Sequence, residues 1–93
     1  MIPKNRAPST PGEILREEFL VPMKMTQAAL VEKMGVPIQR VNLILNDKRA
    51  ITAETALLLA KAFEASPQFW LNLQNNYDLW IAQQKLERGG RSA

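Results

Sequence analysis

At 93 residues the chain is long enough for one domain with a single hydrophobic core and too short for two. It contains no cysteine and no histidine, which excludes disulfides, thiolate metal sites and thiol nucleophiles and removes the commonest general base. The positive charge lies in two segments, residues 24–49 with five basic and two acidic side chains and residues 83–93 with three basic and one acidic, so an anionic partner is expected to bind there.

The chain divides into an arm, one folded domain and a tail. Proline and small polar residues without apolar periodicity predict a flexible arm over residues 1–9, which Lys4 and Arg6 make basic. Residues 10–86 contain five segments with helical periodicity and no pattern typical of a strand, which predicts an all-α domain. Residues 87–93 are predicted to form a flexible tail.

The first helix has a complete start signal. Thr10 is suited to the N-cap, Pro11 to the first helical position and Glu13 to the third, as in a capping box. We expect this helix to end near Leu20, because Pro22 follows and disfavours helical backbone before it.

The second and third helices are short and closely connected. Thr26 is predicted to cap the second helix, and Gly35 supplies the permissive backbone that ends it. Pro37 is expected at the first position of the third helix, which ends near Asn46. Two short helices joined by a sharp turn, over about residues 26–45, are typical of a helix-turn-helix.

The last two helices carry most of the bulky residues. Thr52 is predicted to cap the fourth helix, over roughly residues 53–64, whose inward residues are expected to be Ala56, Leu57, Ala60 and Phe63. Ser66 and Pro67 form the start signal of the fifth helix, over about residues 67–86.

The third helix has two chemically different faces. At about 100° per residue, Val41, Ile44 and Leu45 share one face, with Ile38 at its margin, and this face is expected to pack inward. The opposite face and its margin combine two amides, an apolar group and a guanidinium: Gln39, Asn42, Leu43 and, at the margin, Arg40. Amides can pair with adenine, arginine with guanine and apolar groups with thymine methyls. We therefore predict that this face contacts base edges in the major groove.

Polar residues at the helix ends are candidates for the DNA backbone. Thr26 and Gln27 begin the second helix, where hydroxyl, amide and backbone N–H groups suit a phosphate. Asn46, Lys48 and Arg49 follow the third helix and could hold the backbone across the same groove. Each of these residues alone is ordinary on a protein surface, and only their combination with the capped helices and the apolar spacing favours DNA binding.

The fifth helix carries more apolar residues than one core-facing stripe can hold. Helical spacing assigns one set to the core: Trp70, Leu73, Tyr77 and Ile81. An adjoining strip, formed by Phe69, Asn76 and Trp80, would be left in water by a monomer. We therefore predict a homodimer through this strip, with two third helices binding an inverted repeat.

Residues 8–80 resemble the HigA-type antitoxins of the repressor-like (XRE, or lambda-repressor-like) helix-turn-helix family. The resemblance rests on PSTPGEILREEFLVPM, on TQAALVEKMGVPIQRVNLILNDKRAIT and on SPQFWLNLQNNYDLW, of which the last is the most specific. It implies a five-helix lambda-repressor-like fold and a homodimer that represses its own operon. It also implies a partner toxin of the HigB type, a small basic ribonuclease that cleaves mRNA.

Carried over by position, the resemblance implies base contacts by Ile38, Gln39, Arg40, Asn42 and Leu43. It implies backbone contacts by Thr26, Gln27, Asn46, Lys48 and Arg49. This chain departs from the pattern in two places. Val31 replaces a small alanine in the second helix, and Pro37 and Ile38 replace a hydroxyl and a polar residue, so the first base-contacting position is apolar.

The function predicted from these observations is that of a DNA-binding repressor and antitoxin of a two-gene toxin–antitoxin operon. Two alternatives stay open: a helix-turn-helix repressor without a toxin, and a helical module that binds other proteins. An enzyme is not predicted, since the acidic cluster of Glu13, Glu17 and Glu18 is explained by the helix dipole and a solvated face. We expect no cofactor and no metal. With neither a signal peptide nor an apolar run of membrane-spanning length, the expected location is the cytoplasm.

Overall fold

The computed structural model describes residues 7–89 and confirms the predicted all-α domain of five helices. Those residues contain no strand. Residues 1–6 of the predicted arm and residues 90–93 of the predicted tail lie outside the described residues. The helices are α1 (residues 11–23), α2 (Gln27–Met34), α3 (Ile38–Leu45), α4 (Ala53–Phe63) and α5 (Pro67–Gly89).

Hydroxyl caps begin four of the five helices, as the sequence predicts. Each hydroxyl oxygen accepts a hydrogen bond from the backbone N–H three residues later, at 3.1 to 3.3 Å: Thr10 from Glu13, Thr26 from Ala29, Thr52 from Thr55 and Ser66 from Phe69. Such a cap contributes about 1 kcal/mol to helix stability. In α3 the N-cap is Pro37, in extended backbone, so the prediction that this proline is the first helical residue is wrong by one position.

The prediction that α1 ends near Leu20 is also wrong, because the helix continues through Pro22 to Met23. Leu15–Leu20 form a π-helical segment directly before it, in which the N–H of Val21 donates to the carbonyl of Arg16, five residues back. In an ordinary α-helix the proline ring presses on the carbonyl four residues before it. The wider π turn relieves that contact, so the helix can continue beyond the proline.

All five helices contribute to one core. Its buried apolar residues are Leu15, Leu20, Leu30, Met34, Val36, Val41, Ile44, Leu45, Ile51, Ala56, Leu59 and Trp70. The predicted inward face of α3 is confirmed, since Val41, Ile44 and Leu45 are all buried. In α4 the inward position of Leu57 is wrong: its side chain is 59% exposed, and Leu59 is buried instead. Because residues 57–59 are all leucine, helical periodicity alone does not determine which of them faces the core. The packing of α4 against the other helices determines it.

The fifth helix is the longest element and continues to Gly89, three residues past its predicted end at 86. At 1.5 Å per residue its 23 residues are about 35 Å long, and the molecule measures 46 × 22 × 21 Å along its principal axes. Among residues 7–89, no helix combines the length and apolar character needed to cross a membrane.

Candidate nucleic-acid interface

The turn between α2 and α3 has the conformation that its sequence predicts. Gly35 adopts left-handed backbone, with φ 69° and ψ 36°, and its N–H donates to the carbonyl of Val31 at 2.7 Å. A Cβ on Gly35 would meet no atom within 4 Å, so the backbone conformation and not lack of space favours glycine. Val36 is buried and fills the corner between the two helices.

The outer surface of α3 is an exposed strip of two amides and two apolar side chains, which we term the reading face: Ile38, Gln39, Asn42 and Leu43. Ile38 is 52% exposed and Leu43 is 38% exposed, although both are apolar. The structure therefore leaves four of the five predicted base-contacting residues exposed along α3: Gln39, Asn42 and Leu43 on the side away from the core, and Ile38 at the margin of the inward face.

Arg40, the fifth predicted base-contacting residue, lies at the margin of this face and is turned towards α4. Its side chain is only 22% exposed, and Nη1 lies 3.7 Å from Oε1 of Glu54. Sequence reasoning missed Glu54, because the two residues are distant in sequence and only the folded chain brings them together. In the free protein the guanidinium thus has an acidic partner.

Asn42 is held by a second asparagine one turn later. The side-chain nitrogen Nδ2 of Asn46 donates to the backbone carbonyl of Asn42 at 2.9 Å and to its side-chain Oδ1 at 3.3 Å. Sequence reasoning missed this pair, although spacing of four residues on a helix is a signal for such contacts.

The end of α3 is a Schellman turn that leads into the basic residues. The N–H of Lys48 donates to the carbonyl of Leu43 at 2.8 Å, and that of Asp47 donates to Ile44 at 3.1 Å. Asp47 adopts left-handed backbone with φ 59°, where glycine is usual. Lys48 and Arg49 are exposed directly after this turn, as the predicted backbone contacts require.

At the start of α2, Thr26 is exposed and Gln27 is half-buried. The Thr26 hydroxyl oxygen already accepts the capping hydrogen bond from Ala29, which leaves its O–H free to donate. This is compatible with the predicted contact to a phosphate oxygen.

The first turns of α1 are packed against the end of α3. A Cβ on Gly12 would lie 2.7 Å from Oδ1 of Asp47, 3.1 Å from the carbonyl oxygen of Leu45 and still closer to that of Ile44. Arg16 Nη1 donates to the same Leu45 carbonyl at 2.9 Å. Sequence reasoning missed both residues, which fix α1 to the helix that carries the reading face.

The three acidic residues of α1, Glu13, Glu17 and Glu18, are exposed. Oε2 of Glu17 lies 3.4 Å from Nε of Arg16, and both side chains are about half exposed, Glu17 at 55% and Arg16 at 45%. The acidic cluster is thus solvated in the free protein, as the sequence predicts.

The burial of α5 agrees only in part with its predicted core residues. Of the four residues assigned to the core, Trp70 is fully buried, whereas Leu73, Tyr77 and Ile81 are half-buried. Within the strip assigned to a partner, Phe69 and Asn76 are exposed and Trp80 is half-buried. The ring of Phe69 packs edge-on against that of Trp70, with the ring centroids 5.0 Å apart. The ring of Trp80 stacks on that of Tyr77, with a centroid separation of 6.3 Å.

Comparison with known proteins agrees with this geometry. The family model described as "Helix-turn-helix" matches residues 15–70. Virulence-associated protein I of Dichelobacter nodosus is 48% identical over 82 residues, covering 87% of this chain and 76% of that protein. Antitoxin HigA-1 of Vibrio cholerae is 42% identical over 82 residues, covering 88% of this chain and 77% of that protein.

A solved structure gives the same result. The structure described as Pseudomonas aeruginosa antitoxin HigA with higBA promoter superimposes with a TM-score of 0.80 at 38% identity, covering 91% of this chain and 97% of that chain. Sequence and fold agree over nearly the whole length of both proteins, and this chain therefore belongs to the helix-turn-helix family and, within it, to the HigA-type antitoxins.

Proposed function

We propose that this protein is a repressor that binds an inverted-repeat operator as a homodimer and that it neutralises a toxin. The observation that carries the proposal is the reading face of α3, uncharged and exposed, with Lys48 and Arg49 exposed directly after it. A neutral polar face beside cationic ends fits the edges of bases flanked by phosphates. The similarity to an antitoxin solved with a promoter supports it.

Within this proposal the predicted residues have two roles. The reading face, together with Arg40, contacts base edges. The residues around it contact phosphates: Thr26, Gln27, Asn46, Lys48 and Arg49. Arg40 must exchange its contact with Glu54 for one with DNA, because its guanidinium is turned towards α4 in the free protein.

The experiment compares binding of wild type and variants to an operator selected from random DNA and to unselected DNA. We expect Gln39→Ala and Asn42→Ala each to cost about 1–3 kcal/mol on the operator and little on unselected DNA. Lys48→Ala should weaken both and flatten the dependence on salt. Lys61→Ala, which removes an exposed lysine near the end of α4, is the matched control and should change neither. Equal losses on both DNAs for the two amide variants would contradict the assignment.

The homodimer is proposed through α5. Between residues 68 and 84 this helix carries a single charged residue, Asp78, whose carboxylate accepts from Gln74 Nε2 at 2.9 Å. Its outward side presents amides and two exposed leucines, Leu79 at 61% and Leu86 at 73%. Interface cores are depleted in charge, and aromatic anchors are common in them, so this side and the adjoining strip of Phe69, Asn76 and Trp80 suit a second copy.

A dimer also meets a requirement of DNA recognition. One short helix contacts too few base pairs for useful specificity, whereas two such helices about 34–36 Å apart contact successive turns of one groove. Sedimentation of wild type and Trp80→Ala at micromolar concentration tests the dimer. A wild-type monomer that binds a single half-site with full affinity would refute it.

Toxin neutralisation is proposed through the exposed acidic cluster of α1. Three carboxylates on one helix give electrostatic complementarity to a small basic ribonuclease of the HigB type. Recovery of such a protein with the tagged chain from its native host, identified by mass spectrometry, would support the antitoxin role. Its absence would favour a repressor without a toxin.

The binding surface is tested separately. Replacing Glu13, Glu17 and Glu18 by glutamine should weaken toxin binding, and removing residues 1–8 should leave it nearly unchanged. The opposite result would make the arm the binding element.

A further inference from the structure

We propose that Asn46 is a positioning residue, which orients the side-chain amide of Asn42 so that it presents hydrogen-bond donors to the groove. This inference rests on the proposed function, in which the reading face contacts bases. It assigns Asn46 an effect on sequence preference in place of, or in addition to, the predicted contact with the DNA backbone.

The orientation of Asn46 follows from the partner of its amide. A backbone carbonyl oxygen can only accept a hydrogen bond, so the Asn46 atom that lies 2.9 Å from the Asn42 carbonyl must be the nitrogen Nδ2. Asn46 also ends α3, and its own backbone N–H donates to the same carbonyl at 3.1 Å. Its position is therefore fixed by the helix end.

The orientation of Asn42 follows in turn. The Nδ2 group of Asn46 carries two hydrogens, and its second contact, at 3.3 Å, is with the side chain of Asn42. Two NH₂ groups facing each other would repel, so the Asn42 atom in this contact must be the oxygen Oδ1. The NH₂ group of Asn42 then points away from Asn46, and Asn42 itself is exposed on the reading face.

This orientation changes the expected base preference. A freely rotating asparagine pairs with adenine through both its oxygen and its nitrogen. Here the oxygen is turned towards Asn46 and already accepts one hydrogen bond from it, so the NH₂ group is the end of the amide directed away from Asn46, to the groove. It favours base edges that offer acceptors, above all N7 and O6 of guanine, and disfavours cytosine, whose edge offers the N4 donor.

The test is selection from a random DNA library with wild type, Asn42→Ala, Asn46→Ala and Asn46→Asp. Asn42→Ala identifies the base pair that Asn42 contacts, and wild type should favour guanine over cytosine there by about fivefold or more. Asn46→Ala frees the amide and should relax the preference at the same base pair. In Asn46→Asp the new carboxylate cannot donate and instead accepts from the NH₂ group of Asn42. This leaves Oδ1 of Asn42 facing the groove, so cytosine or adenine should become more favoured at that base pair.

Ratios between sequences separate this effect from a general loss of affinity. Lys48→Ala is the control for a lost phosphate contact and should weaken all sequences equally. Thermal unfolding of each variant verifies that it is folded at the binding temperature.

The outcomes distinguish this inference from the proposed function. If Asn46→Ala keeps the wild-type preference and weakens all sequences evenly, as Lys48→Ala does, Asn46 is only a phosphate contact and the inference is wrong. If Asn42→Ala changes no base pair, the inference is also wrong, although DNA binding by the protein stands. If wild type selects no sequence at all, the proposed function fails as well.

Discussion

Replacing Gly12 by alanine should destabilise the protein, although helix propensity alone predicts the opposite. Alanine is favoured over glycine within a helix by about 1 kcal/mol. Against this, the added Cβ would lie 2.7 Å from Oδ1 of Asp47, 3.1 Å from the carbonyl oxygen of Leu45 and closer still to that of Ile44. Two of these atoms belong to the backbone of α3 and cannot rotate away.

Overpacking of this kind costs about 1–3 kcal/mol, so the net loss on Gly12→Ala is about 1 kcal/mol. For a domain of this size the midpoint of thermal unfolding, Tm, should fall by about 4–8 °C. The measurement is made at one protein concentration, because dimerisation would make Tm depend on it. Since Gly12 contacts the end of α3, operator affinity should fall as well at temperatures where the variant is folded.

Gly35 provides the matched control, because a Cβ there has free space and the cost comes only from the positive φ. Asparagine tolerates left-handed backbone better than alanine, so Gly35→Asn should be more stable than Gly35→Ala. At Gly12 the order should reverse, since the larger asparagine makes the clash worse. A Tm that rises on Gly12→Ala would refute the argument from close approach.

Three further predictions concern α2, α4 and α5. Glu54→Gln should release Arg40 and raise operator affinity about twofold to fivefold, a change that corresponds to the free energy of an exposed ion pair. If a binding titration shows lower affinity instead, the ion pair holds Arg40 in its DNA-bound position. Thr26→Ala removes the cap of α2 and should lower stability by about 1 kcal/mol, measured by thermal unfolding, whereas Thr26→Ser should restore it. Leu79→Asp should yield a monomer in sedimentation, and Leu57→Asp, at a side chain exposed to a similar extent, should remain dimeric; identical behaviour of the two would argue against α5 as the interface.

The starts of the helices could be predicted from sequence because a cap is a local interaction. Thr10, Thr26, Thr52 and Ser66 each form their hydrogen bond within three residues, and no other part of the fold is needed to specify it. The end of α1 could not be predicted in this way. The rule that proline stops a helix assumes an ordinary α-helix before it, and here the π segment Leu15–Leu20 precedes Pro22.

The same distinction applies to the candidate site. The faces of α3 follow from helical periodicity, so the exposure of Gln39 and Asn42 was predictable. The turn of Arg40 towards Glu54 and the close approach of Gly12 to α3 depend on how separate helices pack, which a single sequence does not specify.

The two tryptophans differ in environment, so intrinsic fluorescence can distinguish unfolding of the core from dissociation of the proposed dimer. Trp70 is fully buried against the rings of Phe19 and Phe69, so its emission should lie to the blue and move to the red only when the core opens. Trp80 is half-buried on the strip proposed to face a second copy, so its emission should respond to dilution while the core stays folded. Single Trp→Phe replacements would separate the two signals and allow dissociation and unfolding to be followed in one unlabelled sample.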